Sequence, residues 1–259
     1  ADEYRFIFDL HRSLKPVVAL AHGVTFGGGA GLSVNAARRV ASETFKLAMP
    51  EIFIGLLPDV GATRFFDRCP GKIGLYLGLT GARIGAADAI ACGLFTHFVP
   101  QARFDELIAA FSDEPAKMDE VLARFAEQPS GAKLAALRPS IDRCFGGGSV
   151  EEIIAALREE PDGWAKEALE NMGRASPISL KLIFQQLRRG KGVDLAGALK
   201  LEFRVVQHIM QGHDFFEGVR SVLIDKDKNP RWQFPTVDQV PDDLIEQYFA
   251  SLGDRELTL

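Results

Sequence analysis

Residues 16–34 read PVVALAHGVTFGGGAGLSV, and this stretch decides the fold of the chain. The short apolar run at residues 17–20 follows a proline and predicts a buried strand. Three glycines at 27–29 then lead into small residues from 30 to 37, which predict a helix. Such a strand–glycine–helix junction presents free backbone N–H groups at the positive end of a helix dipole.

The glycines of this junction have two interpretations that the residues alone leave open. Glycine lets a ligand approach the main chain, so an amide here can receive the negative charge that develops on a carbonyl oxygen during acyl chemistry. In the other interpretation, the segment is a tight turn that needs glycine only for packing.

The apolar pattern changes near residue 100. Before it, short runs at residues 39–41, 45–47 and 96–99 predict three further strands. After it, apolar residues recur at helical spacing and predict a mostly helical structure. We therefore divide the chain into an α/β core at residues 1–105 and a helical C-terminal region at residues 106–259.

Two local features are predicted inside the helical region. Residues 139–148 contain Pro139 and three consecutive glycines, which indicate a loop. Ser149 is followed by two glutamates in the pattern of an N-cap, so a helix should begin at this serine.

Composition excludes several classes of protein. The chain has 259 residues, 47% hydrophobic and 25% charged, which is close to the globular average. No apolar run approaches the length of a membrane span, and the first residues lack the apolar region of a secretion signal. The net charge of −5 gives no basic surface for nucleic acid. Three cysteines far apart in the sequence indicate free thiols in a reducing compartment, without a disulfide framework or metal knuckle.

Residues 49–61, MPEIFIGLLPDVG, place two acids in an otherwise apolar stretch. A carboxylate among such residues is partly desolvated, which raises its pKa toward the range of a general base or nucleophile. The alternative is structural, with Glu51 in a first helical turn and Asp59 capping a helix at Gly61. Periodicity and spacing do not separate these two interpretations.

Familiar cofactor and nucleophile motifs fail on inspection. Residues 29–34 begin like a dinucleotide fingerprint, but Val34 stands where its last glycine should be. Residues 31–35 resemble a nucleophile elbow around Ser33, but Asn35 replaces the closing glycine. His208 and His213 are five residues apart, which does not put a zinc pair on one helix face.

The chain resembles the crotonase, or enoyl-CoA hydratase/isomerase, superfamily of acyl-coenzyme A enzymes. Three early segments carry the resemblance: KPVVALAHGVTFGGGAGLSV (15–34), AMPEIFIGLLPDVGATRFF (48–66) and LGLTGARIGAADAIACGLFTHFVP (77–100). Two late segments, ISLKLIFQQLRRG (178–190) and GHDFFEGVRSVLIDKDKNPRW (212–232), are similar to its 3-hydroxyisobutyryl-CoA hydrolase branch. The resemblance implies a fold of repeated ββα units followed by a helical C-terminal region.

The resemblance also implies a role for individual residues. Gly28 matches the oxyanion-hole glycine whose N–H binds the thioester carbonyl, and Glu51 matches the catalytic glutamate. Asp59 matches the acid that the hydrolases carry after it. Glu3 matches a position that contacts substrate, and Lys226 aligns with a lysine used near the coenzyme A phosphate.

The implied reaction is hydrolysis of a small 3-hydroxyacyl-CoA thioester, best matched by 3-hydroxyisobutyryl-CoA of valine degradation. Related hydratases carry a first catalytic glutamate where this sequence has Gly31, which disfavours hydration. An enoyl-CoA hydratase or isomerase and a non-catalytic coenzyme A-binding scaffold remain the alternatives. No metal or redox cofactor is needed, because a thioester is already activated.

The resemblance leaves one expected part of the family fold unmatched. Family members have preceding strands and a segment resembling AFCAGGD that supplies the second oxyanion amide, whereas this sequence starts in the helix after that segment. We expect that the N-terminal part of the fold is missing from this chain, or that another chain supplies it. The oligomeric state stays open between a homo-oligomer and an association with such a chain, and the expected compartment is the cytoplasm of a bacterium or the mitochondrial matrix of a eukaryote.

Overall fold

The computed structural model describes residues 1–259 and contains five short strands and fourteen helices. The strands are β1 Val18–Ala21, β2 Val24–Phe26, β3 Arg38–Ala41, β4 Lys46–Ala48 and β5 His97–Phe98. The helices up to residue 125 are α1 Asp2–Arg12, α2 Gly28–Val34, α3 Ala62–Asp67, α4 Ile73–Thr80, α5 Ala86–Ala91, α6 Phe104–Asp113 and α7 Met118–Phe125. The later helices are α8 Leu134–Cys144, α9 Val150–Glu159, α10 Gly163–Arg174, α11 Pro177–Arg189, α12 Leu195–Ile209, α13 Asp214–Val219 and α14 Asp242–Tyr248. A short 3₁₀ helix covers Glu51–Ile54, and a π-helical turn covers Arg220–Ile224.

The strands form two small parallel sheets, with order β1-β3-β5 in one and β2-β4 in the other. The chain therefore repeats a β-β-helix unit, first as β1-β2-α2 and then as β3-β4 followed by the 3₁₀ helix and α3. This confirms the expected ββα architecture. In the second sheet Phe26 pairs with Ala48. Because the two strands are parallel, the segments that leave their carboxyl ends lie side by side, and these segments carry Gly27 and Glu51.

Three expectations about local structure need correction. The helix expected at residues 30–37 is α2, which begins at Gly28 and ends at Val34, so Gly28 and Gly29 belong to its first turn. Strand β2 was not expected, since it has three residues and its Val24 is exposed. The loop expected at residues 139–148 is wrong for residues 139–144, because α8 continues through Pro139 to Cys144, and it is confirmed for residues 145–148, which form turns and bends.

Tertiary contacts explain why α8 tolerates its proline. Leu134, Ile141 and Cys144 are buried on one face of the helix. The Asp88 carboxylate accepts hydrogen bonds from the backbone N–H groups of Lys133 and Leu134 at 2.7 and 2.8 Å and so caps the helix start. Packing and capping thus offset the hydrogen bond that proline removes from a helix interior.

The N-cap expected at Ser149 is confirmed, because its hydroxyl accepts the Glu152 N–H at 3.1 Å. None of the helices is both long and apolar enough to span a bilayer.

One large apolar core connects the two parts of the chain. Its 53 buried residues extend from Tyr4 to Leu257 and include members of both the ββα units and the later helices. Helices α11 and α12 pack against α3, and α12 also contacts α1. A second cluster of six residues lies under α6 and α7. The boundary proposed at residue 105 stays a prediction.

Candidate active site

The three glycines at residues 27–29 bend the backbone at the start of α2. Gly27 has φ 52° and ψ −124°, a conformation that side chains other than glycine rarely adopt. The first backbone hydrogen bond of the helix runs from the Gly31 N–H to the Gly27 carbonyl at 3.1 Å. The amides of residues 28–30 precede this bond and have no partner within the helix. The predicted donor, Gly28, thus lies where a backbone N–H is available to a ligand.

Glu51 opens the 3₁₀ helix that follows β4, and its side chain points at the glycine bend. Only 6% of the residue is exposed, and its Oε2 atom is buried without a hydrogen-bond partner. A Cβ added at Gly27 would lie 3.2 Å from Glu51 Oε1. Glycine at position 27 therefore leaves room for the carboxyl group.

The pKa of Glu51 is raised to about 8, chiefly by burial and to a smaller extent by the nearby charge of Asp59, against a hydrogen bond from its own backbone that lowers it. The carboxyl group is consequently able to hold or release a proton near neutral pH. A pKa in this range suits a general base.

Asp59 is half-buried in the turn before α3, and its Oδ2 accepts a hydrogen bond from the Tyr4 hydroxyl at 2.7 Å. Burial raises the pKa of Asp59 to about 6, the Tyr4 hydrogen bond lowers it, and the charge of Glu3 raises it. The Asp59 side chain does not cap α3. The N–H groups of Gly61, the residue before that helix, and of Thr63 instead bond to the carboxylate of Glu202.

Glu3 reaches the same bend from α1. A Cβ added at Gly28 would lie 2.9 Å from Glu3 Oε1, so the Glu3 carboxylate occupies the space beside the Gly28 Cα. The structure thus brings together four of the residues expected from the sequence: Glu3, Gly28, Glu51 and Asp59. Lys226 is exposed in the loop after the π-helical turn, with φ 57°, and it joins none of the four through a hydrogen bond or ion pair.

Sequence reasoning missed several residues that shape this site. Tyr4 follows Glu3 directly, and its hydroxyl binds Asp59. Glu202 lies on the buried face of α12 between Leu199 and Phe203, where an acid interrupts an apolar helix face. That interruption is a signal the sequence does contain, since an acid is rarely buried without a partner.

The chain is similar to known proteins over nearly its whole length. Residues 1–249 match the model of the family described as enoyl-CoA hydratase/isomerase. The chain belongs to this family. A curated relative, 3-hydroxyisobutyryl-CoA hydrolase 1 from Arabidopsis thaliana, is 40% identical over 99% of this chain and 71% of its own length. The mitochondrial 3-hydroxyisobutyryl-CoA hydrolase of Homo sapiens is 40% identical over 94% of this chain and 65% of its own length.

Two solved structures are similar in fold over 99% of this chain. One is an enoyl-CoA hydratase from Rhodobacter sphaeroides, with a TM-score of 0.92, and the other a carnitinyl-CoA dehydratase from Mycobacterium thermoresistibile, with 0.93. Each is 39% identical, and the match covers 74% of that chain. The chain spans 65–71% of the length of the curated relatives. The names of these relatives differ in reaction, so the site residues must discriminate between hydrolysis and hydration.

The hydrogen bond from Tyr4 gives a direct test of the site geometry. Replacing Tyr4 by phenylalanine is expected to raise the pKa of Asp59 above its value of about 6, because a donor to the charged form is lost. Carbon-13 NMR titration of labelled aspartate measures the change. Tyr248→Phe removes the hydroxyl of another buried tyrosine, in α14, and should leave the Asp59 titration unchanged. An Asp59 titration that is the same in Tyr4→Phe as in the native protein would contradict the described contact.

Proposed function

We propose that this protein hydrolyses the thioester of 3-hydroxyisobutyryl-CoA and releases coenzyme A and 3-hydroxyisobutyrate. The observation that carries the proposal is the pair of desolvated carboxyl groups, Glu51 and Asp59, beside the unpartnered amides at the start of α2. The names of the curated relatives support the same substrate.

The chemistry assigned to each group follows from its position. The Gly28 N–H polarises the thioester carbonyl and stabilises the oxyanion that forms on it. Glu51 takes a proton from water as the water oxygen bonds to the carbonyl carbon. The tetrahedral intermediate then expels the sulfur, and the proton passes to the leaving thiolate.

A covalent route uses the same residues. In it a Glu51 oxygen attacks the carbonyl carbon, the C–S bond breaks, and water hydrolyses the resulting mixed anhydride to restore Glu51. Asp59 orients the attacking water or the substrate hydroxyl. Glu3, which faces Gly28, holds the 3-hydroxyl group. The reaction needs no metal or redox cofactor in either route, because the thioester is already activated.

Packing around Gly31 favours hydrolysis over hydration. A Cβ at residue 31 would lie 2.4 Å from Val60 Cγ2 and 2.5 Å from Val60 Cβ. The side chain of Val60 therefore fills the space that a residue larger than glycine would need. The first glutamate of a two-glutamate hydratase would have no room at this position.

A cavity of about 500 Å³ provides a place for the phosphates of coenzyme A. Its lining includes Arg83, Arg174 and Lys228, none of which forms an ion pair, together with Phe53 and Trp232, and it contains no acid. The Arg174 guanidinium lies 5.3 Å from the centre of the Phe53 ring.

This cavity adjoins both loops of the candidate site. Phe53 is two residues from Glu51, and Arg83 lies 5.3 Å over the ring of Phe26, which precedes the glycine bend. The resemblance implied that Lys226 contacts the coenzyme A phosphate. We propose that the cations lining the cavity make this contact instead, and that Lys228 is the lysine among them.

Thiol release from 3-hydroxyisobutyryl-CoA, followed with a thiol reagent, tests the proposal. Hydrolysis predicts one thiol released for each hydroxy acid formed. Loss of the enoyl absorbance of an enoyl-CoA without thiol release would identify a hydratase, and coenzyme A binding without turnover would identify a scaffold.

A second oxyanion amide supplied by another segment or chain should add about 10²–10³ in rate. Light scattering of the active protein distinguishes a homo-oligomer from such an association.

Replacing Arg83 by alanine tests the phosphate cavity. We expect KM for the coenzyme A thioester to rise about tenfold, since a charge-assisted hydrogen bond contributes about 1.5 kcal/mol. KM for the N-acetylcysteamine thioester, which lacks the nucleotide, should not change. Arg188→Ala removes another arginine that stacks on an aromatic ring, 5.5 Å from Phe184, and is the matched control. An equal rise in KM for both thioesters would show that the phosphates do not bind in this cavity.

A further inference from the structure

The turn that carries Asp59 has a backbone that its own sequence disfavours. Val60 has φ 53° and Gly61 has φ 96°, so two successive residues lie in the left-handed region. A β-branched residue with positive φ is a clear outlier. Such a conformation persists only where the surrounding structure determines it, and it concentrates at functional sites.

The carboxylate of Glu202, on α12, forms hydrogen bonds with this turn. Its two carboxylate oxygens accept hydrogen bonds from the N–H groups of Gly61 and Thr63, each at 2.8 Å. The residue is fully buried, and no cation pairs with it. Burial raises the pKa of Glu202 to about 8, against the lowering effect of the two N–H donors. Burying an acid without a counter-ion costs desolvation free energy, which an apolar residue on the same helix face would not cost.

Gln186 of α11 holds the same turn from a second side. Its Nε2 donates to the Pro58 carbonyl at 2.7 Å and to the Thr63 hydroxyl at 2.9 Å. Together, Gln186 and Glu202 bind Pro58, which directly precedes Asp59, and Gly61 and Thr63, which follow it by two and four residues.

Asn35, at the end of α2, holds the turn from a third side. Its Nδ2 donates to the Val60 carbonyl at 3.0 Å and to the Gly31 carbonyl at 2.8 Å. The Asp59 turn is therefore tied directly to the helix that begins at Gly28.

We propose that Glu202 is a positioning residue, which holds the strained turn at Val60 so that the Asp59 carboxylate meets Tyr4 and faces Glu51. The proposal rests on the proposed function, since it assigns how Asp59 is aimed for that reaction. The ionisable groups around Asp59 are Glu3 and Tyr4 from α1, Glu51 from the 3₁₀ helix and Glu202 itself. No other acid in the chain caps α3.

The test is Glu202→Gln, which keeps the side-chain shape but turns an NH₂ group toward one of the two N–H donors. We expect the turn to relax and the Asp59 contact with Tyr4 to weaken. For 3-hydroxyisobutyryl-CoA, kcat should fall at least tenfold while KM changes less than twofold. The acid limb of the kcat profile should also move to higher pH, because Asp59 loses the donor that stabilises its charged form.

Asp88→Asn is the matched control. Asp88 is also a buried carboxylate that accepts two backbone N–H groups at a helix start, in its case α8. Both variants should lose thermal stability, and only Glu202→Gln should lose kcat and change the pH profile. Equal loss of stability in the two variants, with kcat and the pH profile at native values in both, would overturn the proposal.

Two measurements keep the proposal falsifiable if Glu202→Gln does not fold or the native enzyme does not turn over. Gln186→Leu removes the donor to Pro58 and should shift the acid limb in the same direction, while an unshifted limb counts against the proposal. The Asp59 titration followed by carbon-13 NMR needs no turnover. Absence of thiol release in the native protein refutes the proposed function, whereas an unchanged Asp59 titration in a folded Glu202 or Gln186 variant refutes the positioning role.

Discussion

Replacing Glu51 by glutamine is expected to lower kcat for 3-hydroxyisobutyryl-CoA by about 10²–10⁴-fold, the contribution of a positioned general base. Glutamine fills the same volume beside Gly27 but cannot accept the proton of water or form an acyl intermediate. KM should change little, because the amide at Gly28 and the phosphate cavity remain. Steady-state thiol release with the purified variant measures both constants.

Glu43, an exposed acid, provides the matched control. Glu43→Gln changes an exposed carboxylate that accepts the Gln101 N–H at 2.9 Å, and it should retain native turnover. Near-native turnover in Glu51→Gln would contradict the assignment of Glu51 as base or nucleophile.

The same variant has an expected effect on stability. The pKa of Glu51 is raised from 4.5 to about 8 in the folded protein, so the folded state binds this proton more tightly than the unfolded chain. The free energy of unfolding therefore falls as pH rises between about 4.5 and about 8. Glutamine does not titrate, so the fall of Tm between pH 5 and pH 9 should be smaller in Glu51→Gln. Calorimetry at the two pH values measures the difference, and an equal fall in both proteins would show that Glu51 is not desolvated.

Replacing Gly31 by alanine is expected to reduce the free energy of unfolding by about 1–3 kcal/mol through overpacking. The added Cβ would lie 2.4 Å from Val60 Cγ2, and Val60 cannot withdraw easily because Asn35 holds its carbonyl. Denaturant unfolding measures the loss. Gly29→Ala is the matched control, because a Cβ there meets nothing within 4 Å.

A double-mutant cycle locates the cause of this loss. Val60→Gly removes the side chain that the added Cβ at position 31 would strike, and it relieves the positive φ at residue 60. The double variant should regain most of the stability that Gly31→Ala loses. Additive losses would place the clash elsewhere. Gly31→Glu should gain no hydration of an enoyl-CoA in any background in which Val60 is present.

Local patterns were sufficient for much of the architecture. The apolar runs at residues 17–20 and 39–41 and the helical spacing beyond residue 100 predicted elements that the structure contains. The resemblance to the family named four residues that meet at one opening. Strand β2 and helix α8 could not be predicted in the same way, since one is stabilised by pairing with β4 and the other by the distant cap from Asp88.

The sequence by itself determined which chemical groups the site contains: the glycines at its opening, Glu51 and Asp59 in an apolar stretch, and glycine at position 31. Only the tertiary structure decided how these groups act. Parallel pairing of β2 with β4 places Glu51 beside Gly27, and Glu202, 141 residues after Gly61, sets the turn that aims Asp59. Burial and hydrogen bonds between distant segments depend on the packed chain, and they set the pKa values and the strained backbone that no local pattern encodes.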